Sequence, residues 1–396
     1  MAPTSCNRPF PQSLSYPGCG KPAGISQAEL NADIAAFYRY YRERYFRPSR
    51  STPGGGWYID RPDNFQGGTY KTISEAHGYG MIILALMAGH DPEARARFDG
   101  FCNFFDRHRS RSNGELMSWV VPEDEGPLAN DSATDGDLDI AYALLLAHVQ
   151  WGSAGTAAES SRGVDYLGKA RTLIDKGLKA SNLGPGLRTL LGDWDKNGLN
   201  TRPSDWMTGH FRAFHQATGD EVWLRAEATA YGLIGDLTRS HAPLTGLMPD
   251  FVVGDPPRPA PSDFLERPQD GAYSWNACRV PFRLAAALAH TGSEEARAAL
   301  WKTSRWLRDA TGGDPEAIQA GYALDGTPLS TKSSSAFTAP FLAGCMADPD
   351  AGEYLAEGWK LLGRPGGYYP DALTMLSMLL LSGNWWSPEP PGSSPA

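Results

Sequence analysis

Apolar residues recur at three- and four-residue spacing along nearly the whole chain, the signature of amphipathic and buried helices. The first such stretch runs from about Ser26 to Phe46, with Leu30, Ile34, Phe37 and Tyr41 on one face. The pattern predicts further helices at 75–89, 93–109, 137–151, 163–181, 204–218 and 221–240, then at 276–291, 293–311, 333–346, 352–364 and 369–383. Starts are marked by Asp, Ser or Asn and stops by Gly or Pro, as helix termini require. Strand signals are short, at Trp57–Ile59 and Leu247–Val253. About twelve helices in an unbroken run predict an all-α chain, either a toroid of six helical hairpins or a large irregular bundle. Three long linkers, 47–71, 183–203 and 242–273, are rich in Gly, Pro, Asp and Trp. Long ordered loops in a compact domain usually carry function. The expected organisation is an N-terminal extension over 1–25, one helical domain over 26–386, and a frayed Pro/Ser-rich tail over 387–396.

Composition narrows the class. Of 396 residues, 41% are hydrophobic and 20% charged, which suits a large buried core. The net charge of −9 argues against nucleic acid as a partner, since phosphates call for clustered Lys and Arg. No run of eighteen apolar residues is present to span a membrane. Twelve Trp with 16 Tyr and 15 Phe suit a sugar-binding cleft, where flat rings pack on pyranose faces, although any single Trp is better read as core.

The five Cys form no C-x-x-C pair, and the eight His show no metal spacing, so neither a metal nor another cofactor is expected. Cys6 and Cys19 flank a Pro/Gly-rich stretch and are expected to form a disulfide in an oxidising compartment. Cys102, Cys278 and Cys345 lie in apolar helical contexts and read as buried thiols. Met1 before Ala-Pro-Thr-Ser reads as an added initiator on a mature N-terminus, and a secreted monomer is expected.

Four segments carry candidate chemistry. In Ser74-Glu75-Ala76-His77-Gly78-Tyr79-Gly80-Met81, Glu75 is placed in the first turn of an apolar helix. It is either a partner of the helix dipole or, held against apolar walls, a general acid of raised pKa. Gly78 and Gly80 are poor helix formers whose use is close approach of a backbone or a ligand. In Ala133-Thr134-Asp135-Gly136-Asp137-Leu138-Asp139-Ile140-Ala141, three alternate Asp open a helix. Asp137 or Asp139 caps it, and Asp135 is expected just outside, free to face a groove. Asp193-Trp194-Asp195-Lys196-Asn197-Gly198 begins like a calcium loop, but its twelfth position is Ser204 rather than Glu, so a turn presenting Trp194 is preferred. In the fourth segment, Glu266 sits beside Phe264 and Leu265, while Arg279 and Arg283, one helical turn apart, are placed to pair with buried acids. The alternative for Glu266 is a surface pair with Arg267.

The second segment, continuing through Tyr142 and Ala143 to Trp151, resembles the signature of glycoside hydrolase family 8, and Ser74–Met81 resembles that family's proton-donor segment. The resemblance spans about residues 9–386. It implies an (α/α)6 barrel and an inverting mechanism. The family's usual general base is an Asp before Ala-Cys-Arg-x-Pro, and here that position is Asn276. One branch of the family, which includes chitosanases and licheninases, carries Asn there and takes its base from a Glu in the preceding loop. Phe264-Leu265-Glu266 resembles that loop. The resemblance therefore implies Glu75 as general acid, Glu266 as general base and Asp135 as the residue that binds the distorted sugar. Asn276 is expected to orient the water or Glu266, with Tyr273 and Arg279 in support. Trp119, Trp194, Trp206 and Tyr79 are the candidates for stacking on sugar rings. An inverting pair is expected to lie about 6.5–9.5 Å apart, leaving room for a water.

Three functions are compatible with these residues. The branch signature and the acidic balance favour an endo-chitosanase, with Asp195, Glu115 and Asp250 attracting glucosamine ammonium groups. A licheninase or β-1,4-glucanase uses the same machinery. A toroid that binds sugar without cleaving it is the third, motivated by Asn276.

Overall fold

The structure is a computed structural model describing residues 6–61, 70–123, 131–153 and 163–388. Among them are twelve α-helices: α1 (Gln27–Tyr45), α2 (Ser74–Leu86), α3 (Ala94–Arg107), α4 (Thr134–Trp151), α5 (Tyr166–Thr172) and α6 (Thr208–Thr218), then α7 (Val222–Ser240), α8 (Val280–Thr291), α9 (Glu294–Ala310), α10 (Ser335–Cys345), α11 (Gly352–Leu362) and α12 (Tyr368–Leu381). The predicted helices match these closely. The one expected over 163–181 is α only to Thr172 and continues as a π-helix over Leu173–Asn182. The strands are minor: β1 (Phe46–Ser49) pairs with β2 (Gly56–Ile59), β3 (Tyr70–Ile73) with β4 (Val120–Pro122), and β5 (Val252–Val253) with β6 (Arg258–Pro259). Of the strand expected over 247–253, only its last two residues pair.

The even-numbered helices pack each against the next, from α2 through α4, α6, α8 and α10 to α12, and α12 closes the ring on α2. Each odd-numbered helix packs outside a chain neighbour, α3 on α2, α5 on α4, α7 on α6, α9 on α8, α11 on α10 and α1 on α12. This is an (α/α)6 barrel. The sequence assigns the rings: α2, α4, α10 and α12 are apolar nearly all round and bury almost every residue, whereas α1, α3, α9 and α11 bury one stripe and leave charged faces outside. Two glycines bring α2 and α4 together. A Cβ on Gly136 would stand 2.4 Å from Ser74 Oγ, and one on Gly78 2.6 Å from Asp139 Cβ. The close approach expected of Gly78 is therefore to a neighbouring helix.

The N-terminal extension closes one end of the barrel. Its backbone N–H groups donate to carbonyls at or just beyond the C-terminal ends of inner helices: Asn7 to Gln150, Phe10 to Ala88, Leu14 to Gly383 and Gly20 to Met346. Helix C-termini leave such carbonyls without intrahelical partners, so the strap caps four helices at once. The same path corrects the expected Cys6–Cys19 disulfide. Both thiols are free, because the strap carries Cys6 to Gly89, beyond α2, and Cys19 toward Arg297 on α9. Cys102, Cys278 and Cys345 are buried thiols as expected. Of the tail expected to fray, residues 389–396 lie outside the described ones, while Trp385 and Trp386 just before it are fully buried.

Candidate active site

The opposite end gathers the N-termini of α2, α4, α8 and α12, and the candidate acids meet there. Glu75 is the second residue of α2, placed by strand β3 and by the Ser74 N–H donating to the Trp119 carbonyl at 2.9 Å. Asp135 is the second residue of α4. It was expected outside that helix, but α4 begins a turn earlier than its apolar pattern does, because Thr134 Oγ1 donates to the Leu190 carbonyl and anchors the start. The Asp135 side chain is 7% exposed and bonds its own helix through Gly136 N–H.

Arg279, on the short 3-10 turn leading into α8, joins the two acids. Its Nη1 lies 2.9 Å from Glu75 Oε2 and 2.5 Å from Asp135 Oδ2, and its Nη2 donates to Ser204 Oγ and to Asn276 Oδ1. One turn on, Arg283 grips Asp139 with both terminal nitrogens at 2.6 Å, so both arginines pair with buried acids as the spacing predicts. His210 Nε2 completes the Asp139 site at 2.9 Å.

Glu266 is turned inward. Asn276 Nδ2 donates to its Oε2 at 3.0 Å and Arg202 donates to its Oε1 at 3.3 Å. Arg202, not the Arg267 of the alternative reading, is its ion-pair partner, and the side chain is 16% exposed. Its loop is held by Asp270, whose carboxylate accepts the N–H groups of Leu265, Glu266 and Arg267. An unbroken chain of polar contacts thus runs Glu75–Arg279–Asn276–Glu266.

The electrostatics separate the carboxyls. Burial pushes Glu75 up to about 6, with Arg279 pulling down and Asp135 pushing up. Burial also opposes ionisation of Asp135, but Arg279 and Arg202 outweigh it and hold that carboxyl below the ordinary range. One acid therefore keeps its proton into mildly acidic solution while its neighbour stays bare, the division that acid–base chemistry on a glycosidic bond needs.

Four polar residues of this network were not singled out in the sequence. Arg202 bridges Glu266 and Asp205, Ser204 receives Arg279, and Tyr368 at the start of α12 donates to Glu75 Oε1 at 3.3 Å. Asp205, fully buried, is pushed up to about 7 by burial, partly offset by Arg202. The dense Arg-Pro-Ser-Asp string was the available signal, sitting at the end of a long linker.

The aromatic candidates divide. Trp194 is 41% exposed and Trp119 half-buried, beside Tyr70. Tyr79 and Trp206 are corrected: Tyr79 is fully buried with Arg283 over its ring, and Trp206 is buried with its indole N–H donating to Thr201. Neither presents a ring face to a sugar. Tyr273 is also buried, stacked on Phe341, and its hydroxyl reaches the Cys278 carbonyl, beside Arg279. The acids expected to draw a cationic sugar are mostly occupied elsewhere. Asp250 is fully buried under backbone N–H groups, Asp195 is buried and caps the turn at Asn197, and Glu115 faces Arg109. Asp193, which opens the calcium-like run, accepts from Ser110 and Ser132. No group of three metal-ligating side chains occurs among the described residues.

Comparison with known proteins agrees with the barrel. The chain is 40% identical to an endoglucanase of Bacillus sp. (strain KSM-330), over 97% of this chain and 82% of the relative. It is 37% identical to a β-glucanase of Niallia circulans, over 96% and 92%. The solved apo structure of a β-1,3-1,4-glucanase from Paenibacillus sp. X4 superposes with a TM-score of 0.89 at 35% identity, covering 98% of this chain and all of that one. The family model "Glycosyl hydrolases family 8" matches residues 59–383. With that match covering most of its length, the chain belongs to glycosyl hydrolase family 8.

Proposed function

We propose that this chain is an inverting endo-β-glucanase that cleaves β-1,4 bonds in mixed-linkage β-1,3-1,4-glucan, acting outside the cell. The observation that carries the reading is the inward Glu266, tied through Asn276 and Arg279 to a protonated Glu75. Glu75 gives its proton to the glycosidic oxygen as the C–O bond breaks. Glu266 takes a proton from a water that attacks the anomeric carbon from the opposite face, and the product anomer is inverted. Asp135, held ionised by Arg279, stabilises the positive charge that develops on the ring. Trp194 and Trp119 supply stacking faces along the groove. The reading requires Glu75 and Glu266 to straddle one water, at about 6.5–9.5 Å.

Glucan is favoured over chitosan on two grounds. Two of the similar proteins are named as β-glucanase and β-1,3-1,4-glucanase. The carboxylates that motivated a cationic substrate are buried or paired, leaving less free negative charge to attract glucosamine. The sugar-binding toroid without catalysis, motivated by Asn276, requires a solvated Glu266 turned away from the groove, and the Arg202 and Asn276 partners of Glu266 speak for the opposite.

Reducing-sugar release from barley β-glucan, lichenan, carboxymethylcellulose and soluble chitosan tests the proposal. Barley β-glucan and lichenan are expected to be cleaved fastest. Cleavage of chitosan alone would replace the substrate, and cleavage of none would remove the enzyme reading.

A further inference from the structure

Asp250 lies in the linker before α8 and is fully buried. One of its oxygens does unusual duty. Oδ1 accepts the backbone N–H groups of Ser274 at 3.1 Å, Asn276 at 3.0 Å and Ala277 at 2.7 Å. Its own N–H is fixed to the Ala272 carbonyl at 2.8 Å. The turn gathered around Oδ1 is the one that delivers the site. Asn276 projects from it to Glu266, and the Arg279 N–H and Nε both return to the Asn276 carbonyl. Oδ2 finds no hydrogen-bond partner among the described residues.

Groups close enough to feel Asp250 include the Glu266 carboxylate, the Tyr273 hydroxyl and the Cys278 thiol. Burial pushes Asp250 up to about 7, with the backbone N–H groups of Ala277, Ser274 and Asn276 pulling down and the charge on Glu266 adding to it. What Asp250 offers the turn is the lone pairs of Oδ1.

Resting on the glucanase reading, we propose that Asp250 is a positioning residue for the hydrolysis, its Oδ1 setting the turn that holds Asn276 against both Glu266 and Arg279. A displacement of order 1 Å at such a site costs about 10²-fold in rate. The test measures kcat and KM on barley β-glucan from pH 4.5 to 8, with thermal unfolding, for wild type, Asp250→Asn and Asp250→Ala. Asn retains an oxygen for the three N–H groups. It is expected to keep kcat within about 3-fold, with the wild-type pH profile. Ala removes the oxygen, and kcat is expected to fall about 10²-fold with KM nearly unchanged. A role in stability alone would lower the unfolding temperature and leave kcat of the folded enzyme intact, and that result overturns the proposal. So does an Asn variant as impaired as Ala. If the Ala variant does not fold, Asp250→Ser serves in its place, because its hydroxyl is too short to reach all three donors; wild-type kcat in that variant overturns the proposal too. Wild-type protein inactive on every glucan would instead sink the functional reading, which separates the two failures.

Discussion

Asn276 holds Glu266 and Arg279 at the same time, giving its amide N–H to one at 3.0 Å and receiving the guanidinium of the other on its oxygen at 3.0 Å. An amide can do both, whereas a carboxylate has no donor to offer Glu266. The Asn276→Asp variant is therefore expected to lose activity, not gain a second base. Two carboxylates at that separation cannot both ionise freely, so the acid limb of the pH–rate profile is expected to move to higher pH and kcat to fall at pH 5. Wild-type kcat with an unmoved limb would count against the arrangement.

In the proposed mechanism Glu75 carries the alkaline side of the profile. A general acid works only while protonated, and burial pushes this carboxyl up to about 6. Activity as kcat/KM is expected to fall as pH rises through that value and to be retained below it. The Glu75→Gln variant is expected to lose about 10²–10⁴-fold in kcat on β-glucan and to lose the limb near pH 6 with it. A β-glucoside with a nitrophenolate leaving group needs little protonation and is expected to be spared most of that loss. Equal losses on both substrates would remove Glu75 from the acid role.

The contact between α2 and α4 sets the distance between Glu75 and Asp135. The Gly136→Ala methyl would meet the Ser74 backbone carbon at 2.6 Å, with no flexible chain to yield. Overpacking of this kind costs about 1–3 kcal/mol. Thermal unfolding is expected to show that loss, and kcat is expected to fall further than stability explains, because both acids ride on the helices being wedged apart. Unchanged stability would show that the interface accommodates the methyl.

The barrel was legible because its inner helices are apolar on nearly every face and its outer ones on one stripe. The place of Glu75 was legible because it opens such a helix in a dense local motif, whereas Asp135, expected outside α4, lies in its first turn. That same all-round burial misled the reading of Tyr79, since periodicity along a helix does not say whether an aromatic ring faces a groove or a neighbouring helix, while Trp206, in the turn before α6, is turned inward to donate to Thr201. Arg202 was missed for another reason. Its partner Glu266 lies 64 positions away, in a different long loop, and no local spacing joins them. The Cys6–Cys19 spacing likewise suggested a closed loop, while the strap's hydrogen bonds to four helix ends carry those thiols to different parts of the barrel.

Glu266 bears the largest burden in the proposed mechanism, where it stands in for the carboxylate that Asn276 does not supply. The most direct measurement is kcat of Glu266→Gln on barley β-glucan, taken together with the affinity of the same variant for a β-glucan oligosaccharide. Loss of about 10²–10⁴-fold in kcat with binding retained is the predicted result. A variant that hydrolyses at the wild-type rate would mean that water is activated elsewhere and that Glu266 is not the base.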